Sequence, residues 1–288
     1  IINIGVIMIN KTNLAGFFTV LLIAGCSMEN SVEEGSATKP NVRYNEFMEC
    51  KFGPDMSTEK LTAMISEWQK LITTESLIGA WGYSPASEEN AWGESGFWEL
   101  EWDSKEAAES AWAEWESNEE AAAWNEKYLG VMQCDGPGRF KHDGIFPIPY
   151  ETYGEANSSG YFYSEFHVCK YNEGAGREDA VAFLPGFTEA VSQGDYDGTG
   201  YHYGNYFPYD VSETNPEGES ADFIWANFTK SKAANEKATA AFESDVREKM
   251  FPIFSEFASC GDKPELFHGW TLYDRDNKDF MPSFALDN

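Results

Sequence analysis

A long internal repeat is the strongest constraint this sequence places on its own fold. Glu46-Phe47-Met48-Glu49-Cys50-Lys51 returns as Glu165-Phe166-His167-Val168-Cys169-Lys170, 119 residues further on. Phe97-Trp98-Glu99-Leu100-Glu101-Trp102, with Ala107-Ala108 behind it, returns at a shift of 126 as Phe223-Ile224-Trp225-Ala226-Asn227-Phe228 ahead of Ala233-Ala234. Cys134 and Cys260 keep that second shift, and so do His142 and His268. One register held across strand-like, helix-like and cysteine positions identifies two homologous domains, 43–150 and 160–275, followed by a C-terminal tail at 276–288. The 288 residues suffice for two ordinary domains, and 42% hydrophobic with 16% aromatic residues can build packed cores.

Each copy reads as strand, helix, strand, strand, helix, strand. In the first, a strand over 44–52 precedes a helix from about Ser57, which sets Leu61, Met64, Ile65, Trp68 and Ile72 on one face. A second strand covers 77–84. Over 96–102 the residues alternate, with Trp98, Leu100 and Trp102 on one face and Glu99 and Glu101 on the other. The glutamate face is read as outward and polar, against the competing reading of an acid/base pair. Asp103, with Glu106 three residues on, is the expected cap of a long helix that Ser117-Asn118 kinks or divides. A last strand covers about 139–146. In the second copy Pro185 is expected to interrupt the first helix, and Gly186 to weaken it.

This order is the ferredoxin-like split βαβ. Together with the Trp/Phe strand and Ala-rich helix pattern, it makes the chain resemble the dimeric α/β-barrel superfamily, which includes small monooxygenases of the antibiotic-biosynthesis type. The resemblance spans residues 43–275 and carries over no catalytic motif residue by residue. It implies an α+β fold in which two ferredoxin-like (βαββαβ) repeats pack as one pseudo-dimeric α/β barrel within a monomer. In such a fold the first strand ends at the sheet edge where the second helix hands over to the fourth strand. That topology pairs Cys50 with Cys134 and Cys169 with Cys260, as an oxidising compartment would allow. Free buried thiols and a metal site are the alternatives, and the absence of Cys-x-x-Cys spacing disfavours metal.

The fifth cysteine belongs to another feature. Met8 is a better start than Ile1, because it opens a short head carrying Lys11 ahead of an apolar stretch over 14–23. That stretch is too short to cross a bilayer as a helix and suits a secretory signal. Leu22-Ile23-Ala24-Gly25-Cys26 resembles the lipobox of bacterial lipoproteins. The resemblance implies a signal peptide at 1–25, a lipidated Cys26, and a polar tether over 26–42. The implied address is the bacterial cell envelope, lipid-anchored to a membrane. Ser27 after the cysteine favours the outer membrane over the inner.

Forty-nine acidic residues against 20 basic ones give a formal charge of −29, which repels nucleic acid and anionic headgroups. Candidate ligand-binding residues are His142 and His268, which a pseudo-twofold would place symmetrically, with His167, His202, Trp98, Trp102 and Trp225. For the histidines the functional reading is a haem or metal ligand, or a general base, inside the barrel; the plainer one is hydrogen bonding to backbone. For the aromatics an apolar or sugar-stacking pocket competes with core filling. Eight of the ten tryptophans fall between Trp68 and Trp124, whereas the second copy substitutes Tyr and Phe. No Gly-x-Ser-x-Gly, P-loop or dinucleotide fingerprint occurs, so no catalytic residue and no metal is expected. No cofactor is expected either, haem being the one considered. The function read from these features is a non-enzymatic binding or interaction module for a small, partly apolar ligand. The alternatives are a dimeric α/β-barrel enzyme of monooxygenase or haem-handling type, and a structural surface protein.

Overall fold

The computed structural model describes residues 41–209 and 220–286. The expected signal peptide, Cys26 and nearly all of the tether lie outside these residues, as do the last two positions of the tail. The first copy runs β1 (Val42–Phe52), α1 (Thr58–Leu71), β2 (Leu77–Pro85), β3 (Gly96–Trp102), α2 (Lys105–Ser117), α3 (Glu119–Tyr128), β4 (Met132–Cys134) and β5 (Phe140–Ile145). The second runs β6 (Tyr161–Tyr171), α4 (Arg177–Ser192), β7 (His202–Pro208), β8 (Phe223–Thr229), α5 (Lys232–Ala241), α6 (Arg247–Phe257), β9 (Ala258–Cys260) and β10 (Glu265–Asp274). A π-helical turn, Phe242–Val246, joins α5 to α6.

Eight of these strands close into an antiparallel barrel in the order β10-β2-β3-β1-β5-β7-β8-β6, with β6 returning to β10. Two seams join the copies, β2 on β10 and β5 on β7. Closure leaves none of these eight strands with an unpaired edge. Because side chains alternate across a strand, every barrel strand serves two cores. On β1, Tyr44, Met48 and Cys50 face the helices of the first copy, while Phe47 points into the barrel with Tyr83, Tyr206, Phe228 and Phe267. The second copy packs its own helices over Tyr203, Phe223 and Trp225.

Both expected disulfides are present, Cys50–Cys134 and Cys169–Cys260, each linking directly opposed residues of neighbouring strands. Asn118 divides the long helix as expected, its side-chain oxygen accepting the Glu120 and Ala121 N–H groups. The start of α2 differs. Ser104, not Asp103, is the cap, its hydroxyl accepting the Ala107 N–H at 3.2 Å. Asp103 is held instead by Arg43 and Arg275. Pro185 also departs from expectation, for α4 runs through it unbroken. Pro185 and Gly186 lie on the solvent side, so the lost hydrogen bond falls where water can replace it. Phe183, Leu184 and Phe187 anchor the other side in the core. The chain after β10 is a strap rather than a free tail. Gln69 donates to the Phe280 carbonyl at 3.0 Å, and Met281 and Phe284 pack on the first copy's core.

Candidate functional site

The outward face of β3 presents Trp98, Leu100 and Trp102 to the helices, and the helices answer with Trp68 from α1, Trp112 and Trp115 from α2 and Trp124 from α3. Rings this large, meeting mostly edge to face, do not close the layer. Trp68 and Trp98 sit 4.8 Å apart at 74°, Trp115 and Trp124 5.8 Å apart at 77°. Between them lies a cavity of ≈ 730 Å³. The Trp124 indole N–H donates to the Met64 carbonyl, and those of Trp102 and Trp112 donate to Glu46 Oε2. The Trp98 indole N–H is buried and has no acceptor among the described residues.

Glu46 anchors the cationic corner of this cavity. Its carboxylate is 1% exposed and takes the Arg139 Nε–H at 2.7 Å. The Arg139 guanidinium lies 4.3 Å above the Trp112 ring, and its Nη1 donates to the Gly136 carbonyl at 2.8 Å. A guanidinium has five N–H groups, so Arg139 keeps donors for something else in the cavity it lines. The second copy differs here. Glu165 replaces Glu46 but binds Asn235 at 2.7 Å and lies 3.9 Å from His167. The corresponding space is packed with Phe183, Phe187 and Phe257. Trp225 belongs to that packing, stacked on Tyr203 at 4.9 Å. Of the aromatic candidates, then, Trp98 and Trp102 line a cavity and Trp225 does not.

The glutamate face of β3 is the clearest correction to the sequence reading. Glu99 and Glu101 point into the barrel, not outward, because the helices cover the tryptophan face. Glu99 is 1% exposed and accepts from Asn45 Nδ2 at 2.7 Å, Tyr83 at 2.5 Å and Tyr206 at 3.0 Å. Burial pushes its carboxyl up to about 8, against the pull of those donors. Burial likewise raises Glu101 to about 7, with Arg43 opposing. Both line a second cavity of ≈ 400 Å³ at one end of the barrel, which His202 also borders. A third, of ≈ 110 Å³, lies toward the barrel's other end and is lined by His142.

The histidines do not converge. Phe140 lies opposite Phe47, and Glu265 opposite Phe166, so the structural shift between β5 and β10 is 125. The sequence spacing of 126 therefore sets His268 one residue out of step with His142, and one residue in a strand reverses the face. His142 is inside the barrel, where burial drives its imidazole down to about 3, and its ring meets Phe47 edge-on. His268 is outside, its Nδ1 2.8 Å from the Tyr161 hydroxyl. His167 is outside as well. His202 faces inward, stacked 4.9 Å from Phe228 and lowered by burial to about 4. Among the described residues no cluster of three or more His, Cys, Asp or Glu could hold a metal ion.

These linings do not fit a histidine-ligated haem. The tryptophan-walled cavity has no imidazole in its wall. The one lined by His142 is smaller than the roughly 150 Å³ that encloses benzene. The one bordered by His202 stacks that ring on Phe228, and its wall mixes Arg43 and Lys230 with Glu151, Asp274 and the buried Glu99 and Glu101.

No protein-family model matches the sequence, and no curated protein matches it. Solved structures do. A mutant chlorite dismutase from Candidatus Nitrospira defluvii is 15% identical, with a TM-score of 0.46, covering 84% of this chain and 96% of its own. A protein provisionally named a monooxygenase from Fusobacterium nucleatum is 9% identical, with a TM-score of 0.49 and coverages of 80% and 93%. A second such protein, from Lactobacillus acidophilus, is 8% identical at a TM-score of 0.46, covering 79% of this chain and 94% of its own. The similarity is one of fold, an α+β arrangement around a closed eight-stranded antiparallel barrel. These neighbours carry enzyme names, where the sequence reading expected a non-enzymatic binding module.

Proposed function

We propose that this protein is an enzyme of the dimeric α/β-barrel monooxygenase kind, with the tryptophan-walled cavity of its first repeat as the substrate site. One observation carries the reading. A single cavity of ≈ 730 Å³ is lined both by Trp98, whose buried indole N–H lacks an acceptor among the described residues, and by Arg139, whose guanidinium has spare donors. The volume lies within the usual range for small-molecule sites, and indole faces and edges suit a flat, apolar substrate. Leaving a buried donor unsatisfied costs about 1–3 kcal/mol, so a substrate bearing a carbonyl oxygen is favoured. Arg139 favours the anionic form of such an oxygen, an enolate, and Glu46 holds the guanidinium in position.

An enolate shielded from water is electron-rich at carbon and can be attacked by dioxygen. In the balanced reaction a ring methylene becomes a carbonyl: one atom of dioxygen becomes the carbonyl oxygen, the other leaves as water with the two methylene hydrogens, and the methylene carbon supplies all four electrons. Anthrone, a flat tricyclic ketone with an acidic methylene, is a suitable probe. The protein should consume dioxygen and form anthraquinone above the uncatalysed rate. Arg139→Gln should lower kcat by about 10²-fold, the scale of losing one oxyanion donor. Absence of catalysed uptake would overturn the assignment.

Two finer statements accompany this reading. The matched element order and the two seams support a pair of ferredoxin-like units, 43–150 and 160–275, forming the barrel as an intramolecular pseudo-dimer. The two disulfides support an oxidising compartment, in keeping with a lipid-anchored envelope protein. An intact-mass measurement on membrane-extracted protein should find Cys26 acylated; an unmodified Cys26 would contradict the anchor.

A further inference from the structure

The helix over the tryptophan-walled cavity, α2, lies differently from its counterpart in the second copy, α5. Both begin at a serine cap, Ser104 accepting the Ala107 N–H and Ser231 the Ala234 N–H. Counted from those caps, Ala108, Ala111 and Glu114 of α2 match Asn235, Ala238 and Ala241 of α5. The three in α5 are all buried, so that helix stays down along its length. In α2, Ala108 is buried, Ala111 half-buried and Glu114 exposed. The helix therefore leaves the sheet after its first turn, and the residues it gives to the cavity wall begin at Ala111.

Its composition keeps it raised. Trp112 and Trp115 project from the raised half and pack on the first copy's core. Settling further would also bury the Glu114 carboxylate where α5 has only the methyl group of Ala241, which is unfavourable. Both ends of α2 are breaks. Ser104 and Asn118 are in extended backbone, whereas α5 passes through the π-helical turn into α6 without interruption. Across the mouth, the Thr73 hydroxyl donates to Glu114 Oε2 at 3.5 Å, the long limit for a hydrogen bond, between two exposed side chains. A helix with little buried surface, flanked by breaks and covering a cavity, has the low local stability from which lids are drawn.

We propose that α2 is a lid on this cavity: hinged at Ser104 and Asn118, its C-terminal half lifts to admit substrate between Thr73 and Glu114 and settles back over it. Because the Arg139 guanidinium stacks on Trp112, covering the substrate and placing that guanidinium go together. The lid rests on reading the cavity as the substrate site, but not on the oxygenation.

Tying the lid to the rim tests this. The full-length protein carrying Thr73→Cys and Glu114→Cys is bridged between the two thiols with 1,3-dichloroacetone. Binding of 1,8-dihydroxyanthraquinone, a flat tricycle, is followed by quenching of tryptophan fluorescence in stopped flow. Bridging should slow association at least tenfold, and bridging after binding should slow release at least tenfold. Unchanged rates with binding intact would overturn the lid and leave the substrate site standing; no binding to the unmodified protein would overturn both. Hydrogen exchange on the unsubstituted protein covers the case in which the double variant does not fold. Amides in the C-terminal half of α2 should exchange at least tenfold faster than those of α5, and slow at least tenfold once the ligand is bound. Equal exchange in the two helices, or no slowing by bound ligand, would overturn the lid. Neither measurement involves dioxygen, so failure of the oxygenase reading shows separately, as ligand binding without dioxygen uptake.

Discussion

Glu99 carries the largest mismatch between what its residue type suggests and where it sits. Its alternation with Trp98 and Leu100 is plain in the sequence. The side it faces is not, because that depends on where α1 and α3, helices with 47 residues of chain between them (72–118), come to rest. The consequence is measurable. The folded protein holds a proton on Glu99 up to about 8, whereas the unfolded chain releases it near the ordinary value of 4.5. Between those limits the native state binds more protons, so the contribution of Glu99 to stability is full below about 4.5 and is lost as pH rises toward 8. Glu101 adds to the same slope as far as about 7. Urea midpoints at pH 5 and pH 8 should differ less in Glu99→Gln than in the parent. The difference should be on the order of a few kcal/mol, because each tenfold change in proton affinity is worth about 1.4 kcal/mol. An unchanged pH slope would mean that Glu99 ionises normally. The Trp98 indole gives a second residue-level prediction. Trp98→Phe keeps an aromatic ring but removes the N–H, so KM for anthrone should rise several-fold with the fold intact, as thermal melting would check.

The disulfides show how much element order alone can specify. Their pairing follows from the hand-over between helix and last strand in each copy. They close loops of 84 and 91 residues, each worth up to about 4.5 kcal/mol in the chain-entropy model. Replacing Cys50 and Cys134 together by Ser should lower the unfolding free energy by about 2–4 kcal/mol in denaturant titration; an unshifted midpoint would contradict this. Local signals fared less evenly. Asp103 and Ser104 are both capping residues, and the choice was made by Arg43 and by Arg275, the latter 172 residues away. In α4 the breakers Pro185 and Gly186 were outweighed by burial on the opposite face. A Cβ at Gly186 would meet only Met250 Cε, at an ordinary 3.6 Å. Gly186→Ala should therefore stabilise the protein by roughly 0.5–1 kcal/mol, read as a raised Tm.

At the scale of the molecule, the repeat announced the barrel, but not that its two halves would be used differently. The excess of tryptophan in the first copy was the visible trace of that division, because large rings meeting edge-on leave a cavity where the phenylalanines of the second copy fill one. Arg139 and Glu46 could not be singled out from a chain with 49 acidic residues, since their significance lies in contact between β1 and the approach to β5. The histidines illustrate the converse. Their matching spacing suggested symmetry, and a single residue of strand register removed it. The enzymatic reading turns on the first-repeat cavity being a site of oxygenation. The most direct test is turnover of anthrone under ¹⁸O₂ by the full-length protein, followed by mass spectrometry of the product. One ¹⁸O atom should enter each anthraquinone, at a rate that falls by about 10²-fold in Arg139→Gln. Label incorporation no faster than without protein, or equally fast in Arg139→Gln, would contradict it.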